Sequence, residues 1–166
     1  MKKLHLLLAT LLLAGATTQS IAHGDGSKTG KAAAVAKEQK EWGIAGDAKS
    51  VTRTVTLTMD DKMRFTPDKL DFKQGETVRF VIRNKGKLLH ELVIGTKKEL
   101  DDHAALMLKF PTMQHDEPYM AHVAAGKRGD IIWTFNRAGE FDFACLIAGH
   151  YQAGMVGKIS VAAATL

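Results

Sequence analysis

The chain is poor in cysteine, in clustered basic residues and in long apolar runs, and each shortage narrows the kind of protein it can be. Among 166 residues there is one cysteine, Cys145, so no internal disulfide can form. The formal net charge is +5, but the lysines and arginines are scattered without interleaved aromatic residues, which argues against a nucleic-acid-binding surface. The one long apolar run, Leu4 to Ala14, is too short to span a bilayer.

That apolar run has the features of an export signal. Lys2 and Lys3 precede it, and Ser20-Ile-Ala22 offers small residues at the positions that a signal peptidase checks. We therefore expect residues 1–22 to be a signal peptide, the mature chain to begin at His23 without a membrane span, and the protein to be periplasmic. A free thiol is a liability in an oxidising compartment unless it is buried or capped, for example by a metal.

The remaining sequence predicts mostly β structure. Val78, Phe80 and Ile82 alternate with polar residues, as in a half-buried strand. Many short strands with glycine-marked turns predict an antiparallel sandwich or barrel. The predicted strands are residues 51–59, 69–72, 77–83, 91–94, 130–135, 140–144 and 155–162.

Two segments depart from the strand pattern. Lys97 to Leu108 predicts a short helical insertion, ended by Pro111. Ala32 to Trp42 is rich in alanine and alternating charges and is also helix-capable. We therefore expect an N-terminal arm over residues 23–50 with a short helix, followed by a single domain over residues 51–166.

Three sulfur and nitrogen side chains recur at equal spacing near the C-terminus. Cys145, His150 and Met155 are five positions apart, and His90 follows a strand-like segment earlier in the chain. A thiolate, two imidazoles and a weak axial thioether are the donors of an electron-transfer copper site, whereas calcium and magnesium prefer oxygen. Gly149 permits the tight turn that would bring the loop back over one ion.

Other chemistry for these residues is less favourable. Zinc also accepts thiolate and imidazole donors, although a thioether donor such as Met155 counts against it. Cys145 and a histidine could form a nucleophile and base, but no obvious third residue orients the histidine. A dinuclear copper centre needs two cysteines, and a copper nitrite reductase needs a second domain. We therefore expect a protein that is not an enzyme.

The segments Leu89-His90-Glu91-Leu92-Val93 and the Cys-x4-His-x4-Met loop resemble the cupredoxins, the type 1 (blue) copper family. The resemblance covers about residues 51–162. It implies a Greek-key β sandwich with one type 1 copper, His90, Cys145 and His150 as equatorial ligands and Met155 as the axial ligand. The chain departs from the family at Glu91, where many members have an asparagine that braces the cysteine loop.

Within this family the chain is most similar to exported bacterial members linked to copper tolerance. The stretches that carry this likeness are residues 59–67, His90-Glu91 and residues 109–118. The likeness implies a redox-active copper protein of copper homeostasis. The alternative is an electron carrier between respiratory partners such as a cytochrome or an oxidase.

A second group of metal-binding side chains lies within the insertion. The insertion holds His103, Met107, Met113, His115, Met120 and His122. His103 and Met107 are four apart, on one face of a helix, and Met113, His115, Met120 and His122 repeat a Met-x-His spacing. Thioether with imidazole favours Cu(I). We hypothesise an additional, weakly bound copper there; the alternative is that the methionines pack against the barrel and the histidines face water. The amino terminus and ring of His23 offer a further chelate for Cu(II).

Overall fold

The computed structural model describes residues 37–113 and 115–165. The expected signal peptide, His23 and Ala32 to Ala36 lie outside the described residues. No helix within the described part of the chain is long and apolar enough to cross a membrane.

Within residues 37–113 and 115–165, ten strands form two five-stranded sheets, which confirms the predicted β sandwich. The first sheet has the order β1-β8-β5-β2-β3 and the second the order β4-β10-β9-β6-β7. The strands are β1 (Ile44–Ala45), β2 (Arg53–Asp60), β3 (Arg64–Thr66), β4 (Lys69–Lys73), β5 (Thr77–Asn84), β6 (His90–Gly95), β7 (Met120–Val123), β8 (Arg128–Thr134), β9 (Gly139–Ala144) and β10 (Val156–Ala162). Most neighbours are antiparallel, but β2 pairs with β5, and β4 with β10, in parallel.

The core lies between the two sheets and follows the alternation of the strands. Val78, Phe80 and Ile82 of β5 are fully buried, as their spacing predicts. β6 differs because all six of its residues are buried. One of its faces meets the main core, where Leu92 and Ile94 pack, and the other contributes Val93 to a second cluster under the insertion.

The predicted helical insertion is present as α1 (Lys97–Lys109). The Thr96 hydroxyl caps it by accepting a bond from the Glu99 backbone N–H and donating to the Glu99 carboxylate. Leu100, Ala104 and Met107 form its buried face, at helical spacing. The helix therefore covers the outer face of the second sheet.

The N-terminal segment differs from the expected helix over its described part. Residues 37–39 have no regular structure, and Lys40 to Gly43 form a turn closed by a β bridge. The charges there leave no apolar face for a helix to bury, whereas Trp42 packs into the main core and its carbonyl accepts a bond from the Trp133 indole. With β1 paired to β8, the sandwich recruits residues ahead of Val51. A short 3₁₀ helix (Ala48–Ser50) follows.

Candidate metal centre

Pairing within the second sheet brings the four predicted ligands to one end of the sandwich. β6 begins at His90, and β9 ends one residue before Cys145. Because β6 and β9 are antiparallel, the start of one lies beside the end of the other. β10 begins directly after Met155, so the Cys145–Met155 loop returns to the same edge.

Three of these side chains point at one another. The Cys145 Sγ lies 3.3 Å from the His150 Nδ1 and 4.0 Å from the His90 Nδ1. All three potential ligand atoms lie within 4.8 Å of one another. Cys145 and His90 are completely buried, whereas His150 is half-buried and reaches the surface.

This arrangement fits a single soft metal ion. Metal–sulfur and metal–nitrogen bonds of about 2.3 and 2.0 Å place trigonal sulfur and nitrogen ligands about 3.7 Å apart, between the two distances seen here. Met155 is completely buried in the main core. Its carbonyl accepts a bond from the Cys145 backbone N–H at 3.0 Å, and its own N–H donates to the His150 carbonyl at 3.1 Å. The thioether-bearing residue is thus bonded through its backbone to two of the predicted ligands.

Glycines and one arginine hold the ligand loop in shape. Gly149 and Gly154 have φ angles of +89° and +86°, which most side chains disfavour. The Arg64 guanidinium, on β3, donates to the carbonyls of Ala153 and Gly154 at 3.0 and 3.3 Å. A residue of the first sheet therefore stabilises the Cys145–Met155 loop, which joins two strands of the second sheet.

Asp61 orients the His90 ring. One of its carboxylate oxygens lies 3.2 Å from the His90 Nε2, and the carboxylate also accepts bonds from the backbone N–H groups of Lys87 and Leu88. The Lys87 bond is the largest of the causes that hold the pKa of Asp61 below its ordinary value. An ionised carboxylate requires a proton on Nε2, which leaves the Nδ1 lone pair facing the cysteine.

The loop that carries Asp61's partners is itself tightly packed. A side chain at Gly86 would place its Cβ 2.0 Å from the Asp61 Oδ1. The buried Asn84 amide donates to the carbonyls of Leu88 and Val123, and its oxygen accepts a bond from the Gly86 N–H. Asp61 and Asn84 carry no sequence signal of these roles, apart from Asp61's place in the stretch of residues 59–67.

Glu91 braces the cysteine loop where many family members use asparagine. It is fully buried, and its Oε1 accepts a bond from the Leu146 N–H at 2.8 Å. Its own backbone N–H donates to the Cys145 Sγ at 3.4 Å. Its Oε2 lies 2.8 Å from the His122 Nε2, an ion-pair distance without hydrogen-bond geometry. Burial raises the pKa of Glu91, and His122 and the Leu146 N–H partly oppose that rise.

Burial also sets the protonation of the candidate ligands. It raises the pKa of the Cys145 thiol to about 12, so without a metal the thiol is protonated at neutral pH. Burial, and then the nearby His90 ring, hold the pKa of His150 below its ordinary value. The His150 imidazole is therefore neutral and able to bind a metal at pH 7.

The second predicted group is only partly brought together. His115 and His122 line one pocket with Met113. Met120 instead packs in the second core cluster and is 7% exposed. His103, which the sequence also places in the insertion, has its ring centroid 4.6 Å from that of His115.

A two-sheet β sandwich with a buried cysteine between two histidines at one end defines a cupredoxin. The comparison of sequences agrees, because residues 51–162 match the family described as copper binding proteins, plastocyanin/azurin family. The chain belongs to this family. Copper is accordingly the cofactor to which its donor set corresponds.

Two bacterial relatives are similar over most of their length. The chain is 44% identical over 155 residues to the copper-resistant cuproprotein CopI of Rubrivivax gelatinosus, covering 93% of this chain and 94% of that protein. It is 36% identical over 149 residues to the protein of the same name from Pseudomonas aeruginosa, covering 72% of this chain and 82% of that protein.

Solved structures share the fold at much lower identity. Reduced auracyanin from the photosynthetic bacterium Roseiflexus castenholzii superposes with a TM-score of 0.57 at 17% identity. The match covers 68% of this chain and 98% of auracyanin. At this identity the likeness concerns the fold alone.

Proposed function

We propose that this protein binds one redox-active copper ion in the periplasm and contributes to copper tolerance. The observation that carries the proposal is the buried convergence of His90, Cys145 and His150. Met155 is proposed as the weak axial ligand because its backbone is bonded to both Cys145 and His150. The likeness to two proteins named copper-resistant cuproproteins supports the role in tolerance.

Copper bound there would supply a one-electron couple. The chain's part is to keep the ligands in the same places in both oxidation states, since small rearrangements favour fast electron transfer. Asp61 orients the His90 ring. Glu91, on β6, accepts a hydrogen bond from the backbone N–H of Leu146, the residue after Cys145. Arg64 holds the far end of the loop.

A second candidate function is that of an electron carrier for a cytochrome or oxidase. It is favoured by the apolar surface beside the site, where Leu88 and Leu89 are 47% and 46% exposed. His150 reaches the surface next to Gly149 and Ala153. A small apolar patch of this kind suits brief docking of a redox partner.

We propose that the protein is not an enzyme. A catalytic cysteine needs an accessible thiol with a depressed pKa. Cys145 is completely buried, and burial raises its pKa to about 12. The thiol is therefore suited to a metal rather than to nucleophilic attack.

The export signal and domain division are proposed on sequence grounds. We propose residues 1–22 as the signal peptide, residues 23–50 as an N-terminal arm and residues 51–166 as the copper domain, with Trp42 and β1 of the arm packed into the sandwich. Processing can be tested by mass spectrometry of protein recovered from the periplasm of the native host. A mature chain that begins anywhere other than His23 would contradict the proposed cleavage site.

The test of the metal centre is visible absorption of the mature chain after addition of Cu(II). We expect an intense thiolate-to-copper charge-transfer band that is absent in Cys145→Ser. His150→Ala should retain a site open to small ligands, and Met155→Leu should keep copper with a shifted potential. Complete loss of copper from Met155→Leu would contradict its assignment as a weak axial ligand.

Gene deletion separates the two functions. We expect the deletion strain to grow poorly on copper and to be rescued by the wild type but not by Cys145→Ser. Normal growth on copper, with loss of electron delivery to a cytochrome or oxidase, would favour the carrier instead.

A further inference from the structure

The five histidines among the described residues fall into two groups. His90 and His150 flank Cys145, and the rings of the other three lie close to one another. His103 is on the helix, His115 on the segment that follows it, and His122 on β7. We call these three residues the outer histidine cluster.

His115 is the centre of this cluster. Its ring centroid lies 4.6 Å from that of His103 and 6.3 Å from that of His122. Both of its ring nitrogens are buried, and neither has a hydrogen-bond partner among the residues that the structure describes. Buried polar atoms are nearly always partnered in folded proteins, so the two unpartnered nitrogens of His115 indicate a ligand-binding position.

His122 is already oriented for such a ligand. Its Nε2 lies 2.8 Å from the buried Glu91 carboxylate. The other ring nitrogen, Nδ1, lies 3.8 Å from the exposed Asp116 carboxylate and is the nitrogen available to a ligand. A carboxylate behind an imidazole is the usual support of a metal-binding histidine.

A pocket brings sulfur donors to the same place. It has a volume of about 330 Å³, and its walls include Met107, Met113, His115 and His122. Leu89 and Ile147 form the wall toward the cysteine loop. Met113 is 36% exposed, so a thioether stands at the pocket mouth.

The donor set selects the metal. Imidazoles combined with thioethers favour Cu(I), whereas Mg²⁺ and Ca²⁺ require oxygen ligands. Burial, and then the neighbouring histidines, lower the pKa of His103. That imidazole is therefore neutral at pH 7, as a ligand must be.

We propose that this pocket binds one Cu(I) ion through His115 and His122, with the thioethers of Met107 and Met113 as further donors. His103 lines a second pocket, and its ring, 4.6 Å from that of His115, completes the donor set. The inference goes beyond the function proposed above and does not depend on the copper at Cys145. It retains Met113, His115 and His122 from the set predicted by sequence. It leaves out Met120, which does not line this pocket, and includes Met107, which does, together with His103.

The test is an anaerobic Cu(I) titration of the mature chain against the coloured chelator bicinchoninate. We expect His115→Gln/His122→Gln to bind one equivalent fewer than the wild type while keeping the Cu(II) charge-transfer band at Cys145. Cys145→Ser should keep the equivalent that the double variant loses. These two variants therefore separate failure of the outer site from failure of the cysteine site.

Methionine variants provide a matched control. Met113→Leu should weaken the outer equivalent, whereas Met120→Leu, a change of the same size two residues before His122, should leave it unchanged. Equal weakening by both would overturn the proposed donor set.

Nuclear magnetic resonance gives a direct readout in case the double variant folds poorly. In Cys145→Ser, one equivalent of Cu(I) should shift the imidazole ¹⁵N signals of His115 and His122. Unmoved signals, or an unchanged Cu(I) stoichiometry in a folded double variant, would overturn the proposal. Release of this Cu(I) by equimolar Zn(II) would overturn the choice of metal.

Discussion

The cysteine site and the outer histidine cluster use similar donors but are held in different ways. The three donors of the cysteine site already lie within 4.8 Å of one another, and hydrogen bonds from Asp61 and Glu91 hold their surroundings. In the outer cluster, ring centroids are 4.6 and 6.3 Å apart around an open pocket. A prearranged site suits a resident ion, and a looser one suits an ion that enters and leaves.

One residue contacts both sites. Glu91 donates its backbone N–H to the Cys145 sulfur, and its two carboxylate oxygens contact Leu146 and His122. It lies directly after His90 in the chain. We therefore expect substitutions here to affect both metal sites, whereas those at Asp61 should affect only the cysteine site.

The largest effect is expected from Glu91→Ala. It leaves the buried Leu146 N–H without a partner, which should lower the free energy of unfolding by about 2–3 kcal/mol, as measured by urea denaturation of the metal-free protein. It should also shift the copper absorption band and weaken the outer Cu(I) equivalent.

Glu91→Gln is the matched control. Its amide oxygen can still accept the Leu146 bond, so stability and the copper band should change little. The carboxyl group beside His122 is replaced by an amide, so outer Cu(I) binding should weaken. A Gln variant as unstable as the Ala variant would show that charge, rather than the Leu146 bond, stabilises the loop.

Asp61→Ala should be next in size and restricted to the cysteine site. Loss of the carboxylate that orients His90 should weaken copper there by about 10–100-fold, measured by chelator competition. Asp60→Ala is the control, since the Asp60 carboxylate accepts a bond from Lys62 and does not contact His90 in the structure. Equal copper affinity in the two variants would show that Asp61 does not support copper binding by His90.

The dependence on pH should also separate the sites. Because burial raises the pKa of Cys145 to about 12, binding of Cu(II) must displace the thiol proton. Affinity there should rise about tenfold per pH unit between pH 7 and 9. Thioethers carry no proton, and burial keeps the His103 imidazole neutral in this range, so outer Cu(I) affinity should depend less on pH. Chelator competition at several pH values measures both, and parallel slopes would contradict the assignment.

The smallest effect is expected from Tyr151→Phe. The Tyr151 hydroxyl donates to the Asp101 carboxylate at 2.6 Å and so ties α1 to the ligand loop. Its loss should lower the free energy of unfolding by about 1 kcal/mol without moving the copper band. The absorption spectrum of the copper-loaded variant checks this. A clear shift of the copper band would mean that the insertion helps to position His150.

Prediction from sequence succeeded where a pattern repeats locally. The alternation of Val78, Phe80 and Ile82 marked β5, and helical spacing together with Pro111 marked α1 to within one residue at its end. It was wrong over the described part of the N-terminal helix-capable segment. There the conformation depended on residues far along the chain, because Trp42 packs against Trp133 and Tyr119.

In the candidate site, too, the ligands could be predicted from sequence and the residues that support them could not. The equal spacing of Cys145, His150 and Met155 pointed to a copper loop, since three donors on one loop can converge on an ion when glycines such as Gly149 and Gly154 let the loop turn back. Asp61 had no such signal, because it meets His90 only when the β2–β3 turn packs against the loop before β6. The bracing role of Glu91 required the Leu146 N–H to be brought within 2.8 Å.

Copper and a β sandwich could be predicted from the chain alone, because donor chemistry and strand periodicity are properties of residues near one another in the chain. Which groups orient those donors depended on the packing of the folded protein. It alone placed Met120 in the core and His103 beside His115. The reason is that sheet pairing and helix packing join positions far apart in the chain, and no local pattern encodes which of two methionines faces a pocket.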